Sequence, residues 1–170
     1  MYVFESKAGN ASQTQCFGII SAPAEKEQML DSLLSNEFAR LGEAQEPKDT
    51  IALQLSLDIS RGDLFRNVLD SQIGCLYIDL GCNLSALQGR LRQCLKAHSA
   101  PENLYIGTNV SSKESSWNNK LNEELDLHPE IKFIVIAGGK KALSRVNYNK
   151  LMGSSLMIAQ RKKISVLLID

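Results

Sequence analysis

The chain has 170 residues, of which 44% are hydrophobic and 22% charged, a length and composition that suit one domain with a sizeable core. Lysine plus arginine and aspartate plus glutamate number 19 each, so no overall charge attracts nucleic acid or an anionic membrane. No apolar run reaches the ~20 residues that span a bilayer, and the N-terminus has no signal-peptide pattern. We therefore expect a cytoplasmic protein, or a nuclear one in a eukaryote, with no membrane partner.

The cysteines and histidines do not indicate a metal site. The four cysteines show no C-x-x-C spacing, and His98 and His128 lie far from any cluster of ligands. Cys75 and Cys94 fall on apolar patterns, which predicts buried thiols in a reducing compartment.

Residues 1–22 differ in pattern from the rest of the chain. Strand-like runs near 2–5 and 15–20 flank a polar stretch, which predicts an N-terminal hairpin. An amphipathic helix over 24–36 and a short strand over 38–41 follow.

From residue 49 onward, helical and strand patterns alternate. Helices are predicted over 49–60, 83–98, 115–126 and 147–161, and strands over 74–80, 104–107, 131–136 and 164–169. The near-continuous apolar strands are typical of a parallel sheet, so we predict an α/β fold with helices covering both faces. Leu84, Leu87, Leu91 and Leu95 fall on one face of their helix, and Trp117 falls on an apolar stripe that fits a core anchor better than a partner surface.

The stretch 40–62 can be compared with the phosphate-binding loop G-x-x-x-x-G-K-[ST]. Gly42 and Lys48 match the template, but Pro47 stands at the second Gly and Asp49 at the Ser or Thr that holds magnesium. Thr50 then continues into the helix that follows such a loop. We interpret these five residues as a vestigial phosphate loop.

The substitutions act against phosphate binding. Pro47 removes one of the backbone N–H groups that such loops direct at phosphate oxygens. Glu43, Glu46 and Asp49 add carboxylates, and two like charges ~4 Å apart repel by about 4 kcal/mol at an effective dielectric of about 20. The alternative interpretation is an ordinary surface loop followed by a helix with Asp49 as its N-cap.

The order and spacing of the apolar stretches from about Leu33 to Asp170 resemble the RecA-like hexameric helicase family typified by plasmid RepA. The matching stretches are 50–62, 75–80, 87–92, 103–107, 133–137 and 164–170. The resemblance implies a RecA-like P-loop NTPase fold, shortened at the C-terminus. It also implies one domain over 1–170, with an extension over 1–22 and an ATPase-like core over 23–170.

The family also implies where catalytic groups belong. The glutamate that positions the attacking water corresponds to Gly81, and the magnesium-binding aspartate corresponds to Ala137. Asp79 lies inside its strand and points to the face opposite its neighbours, so we do not expect it to substitute. With these and the loop positions changed, we expect no catalysis, no cofactor and no metal.

We therefore expect a catalytically inactive RecA-like domain that binds a protein partner, either a RecA-like ATPase or another copy of itself, in DNA replication or recombination. Glu43 and Glu46 are candidates for that contact. One alternative is a residual ATP-binding protein. Another is a DNA-binding accessory module that uses the basic C-terminal third. Its candidate contacts are Lys140, Lys141, Arg145 and Lys150, which follow a Gly138-Gly139 loop that suits either an anion nest or a solvated turn.

The resemblance also predicts the order of strands across the sheet. We expect 103–107, 74–80, 131–136, 164–169 and 38–41 as five parallel neighbours. The hairpin formed by 2–5 and 15–20 would then extend the sheet beyond 38–41.

Overall fold

The computed structural model describes residues 16–17, 47–63, 73–108, 114–139 and 143–169. Its strands are β1 (Cys16–Phe17), β2 (Gly74–Asp79), β3 (Leu104–Thr108), β4 (Ile131–Ala137) and β5 (Ser165–Ile169). Its helices are α1 (Lys48–Arg61), α2 (Leu84–Leu95), α3 (Glu114–Leu127) and α4 (Arg145–Lys162). From α1 onward, helix and strand alternate as predicted, and the α/β fold is confirmed.

The strands form one sheet in the order β1-β5-β4-β2-β3, in which β5, β4, β2 and β3 are mutually parallel. The order predicted for these four strands is confirmed. The two-residue β1 pairs antiparallel with β5, through Cys16 with Ile169 and Phe17 with Leu168.

The edge beside β5 differs from the prediction. Residues 16–17 pair directly with β5, so the placement of the 15–20 strand beyond 38–41 is wrong at this pair. An unpaired edge of a sheet accepts any extended segment through main-chain hydrogen bonds, and such pairing leaves little trace in the side-chain pattern. The predicted elements at 2–5, 24–36 and 38–41 lie outside the described residues.

Helices cover both faces of the parallel sheet, as predicted. The crossover from β2 to β3 carries α2 in one direction across the sheet, whereas α3 and α4 belong to crossovers that run in the opposite direction. Since parallel crossovers are almost always right-handed, opposite directions place helices on opposite faces. α1 and α2 accordingly share one face, and α3 and α4 share the other.

Alternate residues of each strand divide the core into two layers. Tyr77, Phe133 and Val135 pack with α1 and α2, whereas Ile78, Ile134 and Ile136 pack with α3 and α4. Strands β2, β4 and β5 are buried on both faces, which explains why their sequences show nearly continuous apolar runs instead of alternation, whereas the edge strand β3 is only half-buried.

Trp117 on α3 is a core anchor. Its side chain is buried, and its indole N–H donates to the buried Ser155 hydroxyl of α4 at 2.9 Å. The leucine stripe of α2 is buried only at Leu87, and Leu84 at its start is 53% exposed. Cys94 is half-buried against the core, so its prediction as a buried thiol is only partly correct.

α1 is buried along most of its length, including two serines. Ser56 donates to the Ala52 carbonyl oxygen and Ser60 to the Ser56 carbonyl oxygen, at 2.8 and 2.9 Å, so both hydroxyls are satisfied within the helix. The helix ends at Gly62, whose φ of 75° is the left-handed conformation that glycine adopts most readily. Among the described residues, no helix has the length and apolarity needed to cross a bilayer.

Cys75 on β2 provides a test of the core. Burial raises the pKa of its thiol to about 12, with a smaller opposing effect from the Ser56 hydroxyl. We expect Cys75 to resist iodoacetamide at pH 8 in the native protein, while the half-buried Cys82 reacts, because the thiolate is the nucleophile. Peptide mass spectrometry of the alkylated protein measures this difference.

The raised pKa of the Cys75 thiol also makes the stability of the fold depend on pH. A folded-state pKa above the unfolded value means that the neutral thiol stabilises the fold fully below pH ~9 and loses that contribution as the pH rises toward 12. Equal labelling of Cys75 and Cys82 in the folded protein would contradict the buried position.

Candidate functional site at the carboxyl edge of the sheet

Neighbouring strands β2 and β4 lead to crossovers that run in opposite directions across the sheet. In open α/β sheets, such a switch point leaves a crevice at the carboxyl ends of the strands, where ligands bind. Here the crevice lies between the segments that follow the two strands, residues 80–82 after β2 and 138–139 after β4. Gly81, the position predicted for a catalytic glutamate, lies in the first of these segments. Ala137, the position predicted for a magnesium ligand, is the last residue of β4.

The crevice is closed by direct contact between these two segments. The Leu80 N–H donates to the Ala137 carbonyl oxygen at 3.0 Å, just past the paired strands. A Cβ atom on Gly138 would lie 3.1 Å from the Gly81 nitrogen, and Gly138 has a φ of 73°. A side chain at Gly138 would therefore crowd the Gly81 backbone and require a strained φ, so the described parts of the two segments lie directly against each other.

Neither of the two positions predicted for catalytic carboxylates has a polar side chain. Gly81 is exposed and has no side chain. Ala137 is fully buried and lies between Asp79 on β2 and Ile169 on β5 in the sheet register. The structure therefore places both positions at the carboxyl edge, as the resemblance implies, and neither offers a ligand to a metal or to water.

The start of α1 lies above the same edge. The Tyr77 hydroxyl on β2 contacts the Asp49 carbonyl oxygen at 3.4 Å, which places the first turn of α1 over the end of β2. Lys48, Asp49 and Thr50 form that first turn. Gly42, Glu43 and Glu46 lie outside the described residues.

Pro47, and not Asp49, is the N-cap of α1. The Pro47 carbonyl oxygen accepts from Thr50 N at 2.8 Å and from Ile51 N at 3.1 Å, and no side chain caps the helix. Asp49 lies inside the first turn, where its negative charge is favourable to the helix dipole. The sequence could not separate these positions, because proline and aspartate are both common at helix starts.

Asp79 is the buried charge of this edge. Its side chain is 1% exposed, and its carboxylate accepts from Arg90 Nη2 at 2.8 Å, from the Tyr77 hydroxyl at 3.1 Å and from Gly81 N at 3.0 Å. Arg90 is on α2, and its Nη1 lies 3.6 Å from Asp49 Oδ2 on α1. We call this arrangement of Arg90 between Asp79 and Asp49 the Arg90 bridge.

The bridge changes the proton affinities of its members. Burial lowers the pKa of Arg90, but a hydrogen bond to the Cys82 thiol and the charge of Asp79 outweigh it and hold the pKa above its usual range. Burial, and then the negative charge of Asp79, raise the pKa of Tyr77. Arg90 therefore stays a cation and Tyr77 stays a neutral hydrogen-bond donor at any physiological pH.

The orientation expected for Asp79 is confirmed. Its side chain points to the face opposite Ile78 and Leu80, which is the face where α1 begins. Its carboxylate is engaged by Arg90, Tyr77 and Gly81. A charged residue in an apolar strand signals a buried partner. Finding Arg90 as that partner requires knowing that α2 lies beside α1 on the same face.

The glycine loop after β4 is buried, so the prediction of a solvated turn is wrong for Gly138 and Gly139. Gly138 N donates to the Ile169 carbonyl oxygen at 3.2 Å, and an added Cβ on Gly139 would meet the Tyr148 ring. Lys140 and Lys141 lie outside the described residues.

Two of the predicted basic contacts, Arg145 and Lys150, are exposed on α4. At the other end of α4, the Lys162 amine pairs with Asp126 on α3, and Arg161 Nη2 donates to Asn122 Oδ1 at 2.7 Å. Two of the basic side chains in the C-terminal third therefore join α4 to α3.

The opposite, amino edge of the sheet carries an open depression of about 830 Å³. Arg61, His98 and Asn103 lie in its wall. Asn103 donates through Nδ2 to the carbonyl oxygens of Ser60 and Ile73, at 2.9 and 2.7 Å. His128 stacks beside Tyr105, with the ring centroids 4.2 Å apart. Within the described ranges, no group of histidine, cysteine and carboxylate side chains could hold a metal ion.

Comparison with known proteins does not assign a family. A scan against protein-family models matches none, and a search of curated proteins finds no significant similarity.

Proposed function

We propose that this chain is a RecA-like domain that does not use ATP and that acts by binding another protein, in DNA replication or recombination. The observation that carries the proposal is the content of the carboxyl-edge crevice. Where an ATPase of this architecture needs room for phosphates and carboxylates for metal and water, this chain has abutting glycines, a buried alanine and the Arg90 bridge.

The sheet supports the RecA-like part of the proposal. Four parallel strands, helices on both faces, and a helix that starts over the carboxyl edge are the arrangement that a phosphate loop requires. Other open α/β folds share these features, so the family is proposed on the sequence resemblance together with this arrangement.

We expect isothermal titration calorimetry with ATP and magnesium to detect no binding tighter than a dissociation constant of about 1 mM. Pro47 donates no N–H, Asp49 adds negative charge, and the cation of Arg90 is already engaged by Asp79. A micromolar dissociation constant, about −8 kcal/mol, would contradict the proposal and favour a residual ATP-binding protein. An active RecA-type ATPase, titrated with ATP and magnesium in the same buffer, is the positive control.

The partner is proposed to be a RecA-like ATPase or a second copy of the chain, because RecA-like subunits associate side by side. Affinity capture with an active RecA-type ATPase, and light scattering of the protein alone, distinguish the two. A DNA mobility-shift assay across salt concentrations tests the accessory-module alternative through the exposed Arg145 and Lys150, since binding by phosphate contacts weakens steeply with salt.

A further inference from the structure

The carboxylate of Asp79 is almost completely removed from water, yet it remains at the end of a strand in an apolar layer. A buried charge of this kind is tolerated only when it is paired and hydrogen-bonded. Asp79 Oδ2 receives the Arg90 guanidinium and the Tyr77 hydroxyl, and Asp79 Oδ1 receives the N–H of Gly81. Both oxygens are thus used by the protein itself.

The cation that satisfies Asp79 comes from another element of the fold. Arg90 is the seventh residue of α2, and its side chain is 19% exposed. Its second nitrogen, Nη1, lies 3.6 Å from the Asp49 carboxylate in the first turn of α1, an ion pair that is longer than a hydrogen bond. One guanidinium therefore contacts the end of β2 and the start of α1 from its place on α2.

We propose that Arg90 is a built-in counter-ion that closes the carboxyl edge and fixes the start of α1, so that this edge keeps one conformation without a bound ligand. The inference rests on the proposed function only in treating the start of α1 as the remnant of a phosphate loop. The bridge itself depends only on the contacts of Asp79, Arg90 and Asp49. In a working phosphate site, by contrast, ligand phosphates and metal would supply the charges that order this edge.

Amide hydrogen exchange measured by NMR tests the bridge. In Arg90→Gln we expect the amides of Gly81 and of the first turn of α1 to exchange about tenfold faster or more, while the amides of β5 keep their rates. Arg92→Gln is the matched control, because Arg92 is exposed on the same helix. Asp49→Asn should accelerate exchange at the start of α1 and leave Gly81 unchanged.

Chemical rescue separates a counter-ion from a packing role. Methylguanidinium at millimolar concentration should raise the melting temperature of Arg90→Ala by about 3 °C or more, and urea at the same concentration should not. Neither addition should raise the melting temperature of Arg92→Ala. If Arg90→Ala does not fold, amide exchange of Arg90→Lys takes the place of the rescue, and we expect its Gly81 amide to exchange more slowly than in Arg90→Gln.

Unchanged exchange in Arg90→Gln, or acceleration spread equally over β5 and the carboxyl edge, overturns the proposal. The proposal is also overturned if methylguanidinium and urea change the melting temperature of Arg90→Ala equally. These results are independent of ATP titration. Micromolar ATP binding would reject the proposed function while leaving a positive rescue result intact.

Discussion

Replacement of Arg90 by glutamine is expected to lower the free energy of unfolding by about 3 kcal/mol. The substitution leaves the Asp79 carboxylate buried with only the Tyr77 hydroxyl and Gly81 N–H as donors. Removing one partner of a buried ion pair typically costs about 3–5 kcal/mol, and the lower value applies because Arg90 is partly exposed. Urea unfolding followed by circular dichroism measures the loss.

The matched control for this prediction is Arg92→Gln, which should change stability by no more than about 0.5 kcal/mol because Arg92 is exposed. The double variant Arg90→Gln with Asp79→Asn should be more stable than Arg90→Gln alone, since it removes the unpaired charge. An Arg90→Gln protein as stable as Arg92→Gln would show that the bridge contributes nothing to the fold.

Placing an aspartate at Ala137, the position that the resemblance aligns with a magnesium ligand, is expected to destabilise the protein. Ala137→Asp should lower the free energy of unfolding by about 3 kcal/mol or more, because position 137 is fully buried. In the register of the sheet, it also lies directly beside Asp79, whose carboxylate already takes up the cation of Arg90.

Ala137→Asn separates the effect of charge from that of size, because asparagine matches aspartate in volume. We expect the aspartate variant to be the less stable of the two at pH 7. The difference in stability between the two variants should narrow as the pH falls. A buried carboxyl has a raised pKa, so its ionised form destabilises the fold increasingly as the pH rises above ~3.9, the pKa of aspartate in the unfolded chain. Equal stability at pH 7 together with micromolar magnesium binding would contradict our account of this edge.

The two predictions have a common functional meaning. The carboxyl edge is built around one ion pair and a close contact between Gly81 and Gly138, so a carboxylate added at position 137 meets a buried, closely packed site. A fixed edge of this kind suits the proposed protein-binding function.

The sequence by itself determined the succession of elements, whereas the order of the four parallel strands was predicted from the family resemblance. Apolar runs such as 131–136 and 164–169 allow only strands buried on both faces, and the intervening helical patterns require crossover connections. The burial of Trp117 followed from the same periodicity. The succession of elements and the burial of Trp117 depend on spacing along the chain, so they can be recognised without knowledge of distant contacts.

Only the tertiary structure decided how the carboxyl edge is built. Asp79 and Arg90 are 11 residues apart, and Asp49 is a further 30 residues before Asp79, so their meeting depends on α1 and α2 sharing one face. The contact of Gly81 with Gly138 depends on β2 and β4 being neighbours in the sheet. The pairing of Cys16–Phe17 with β5 uses main-chain groups that every residue carries. Charge pairing, close backbone approach and edge pairing across the chain are set by packing, which local sequence patterns do not record.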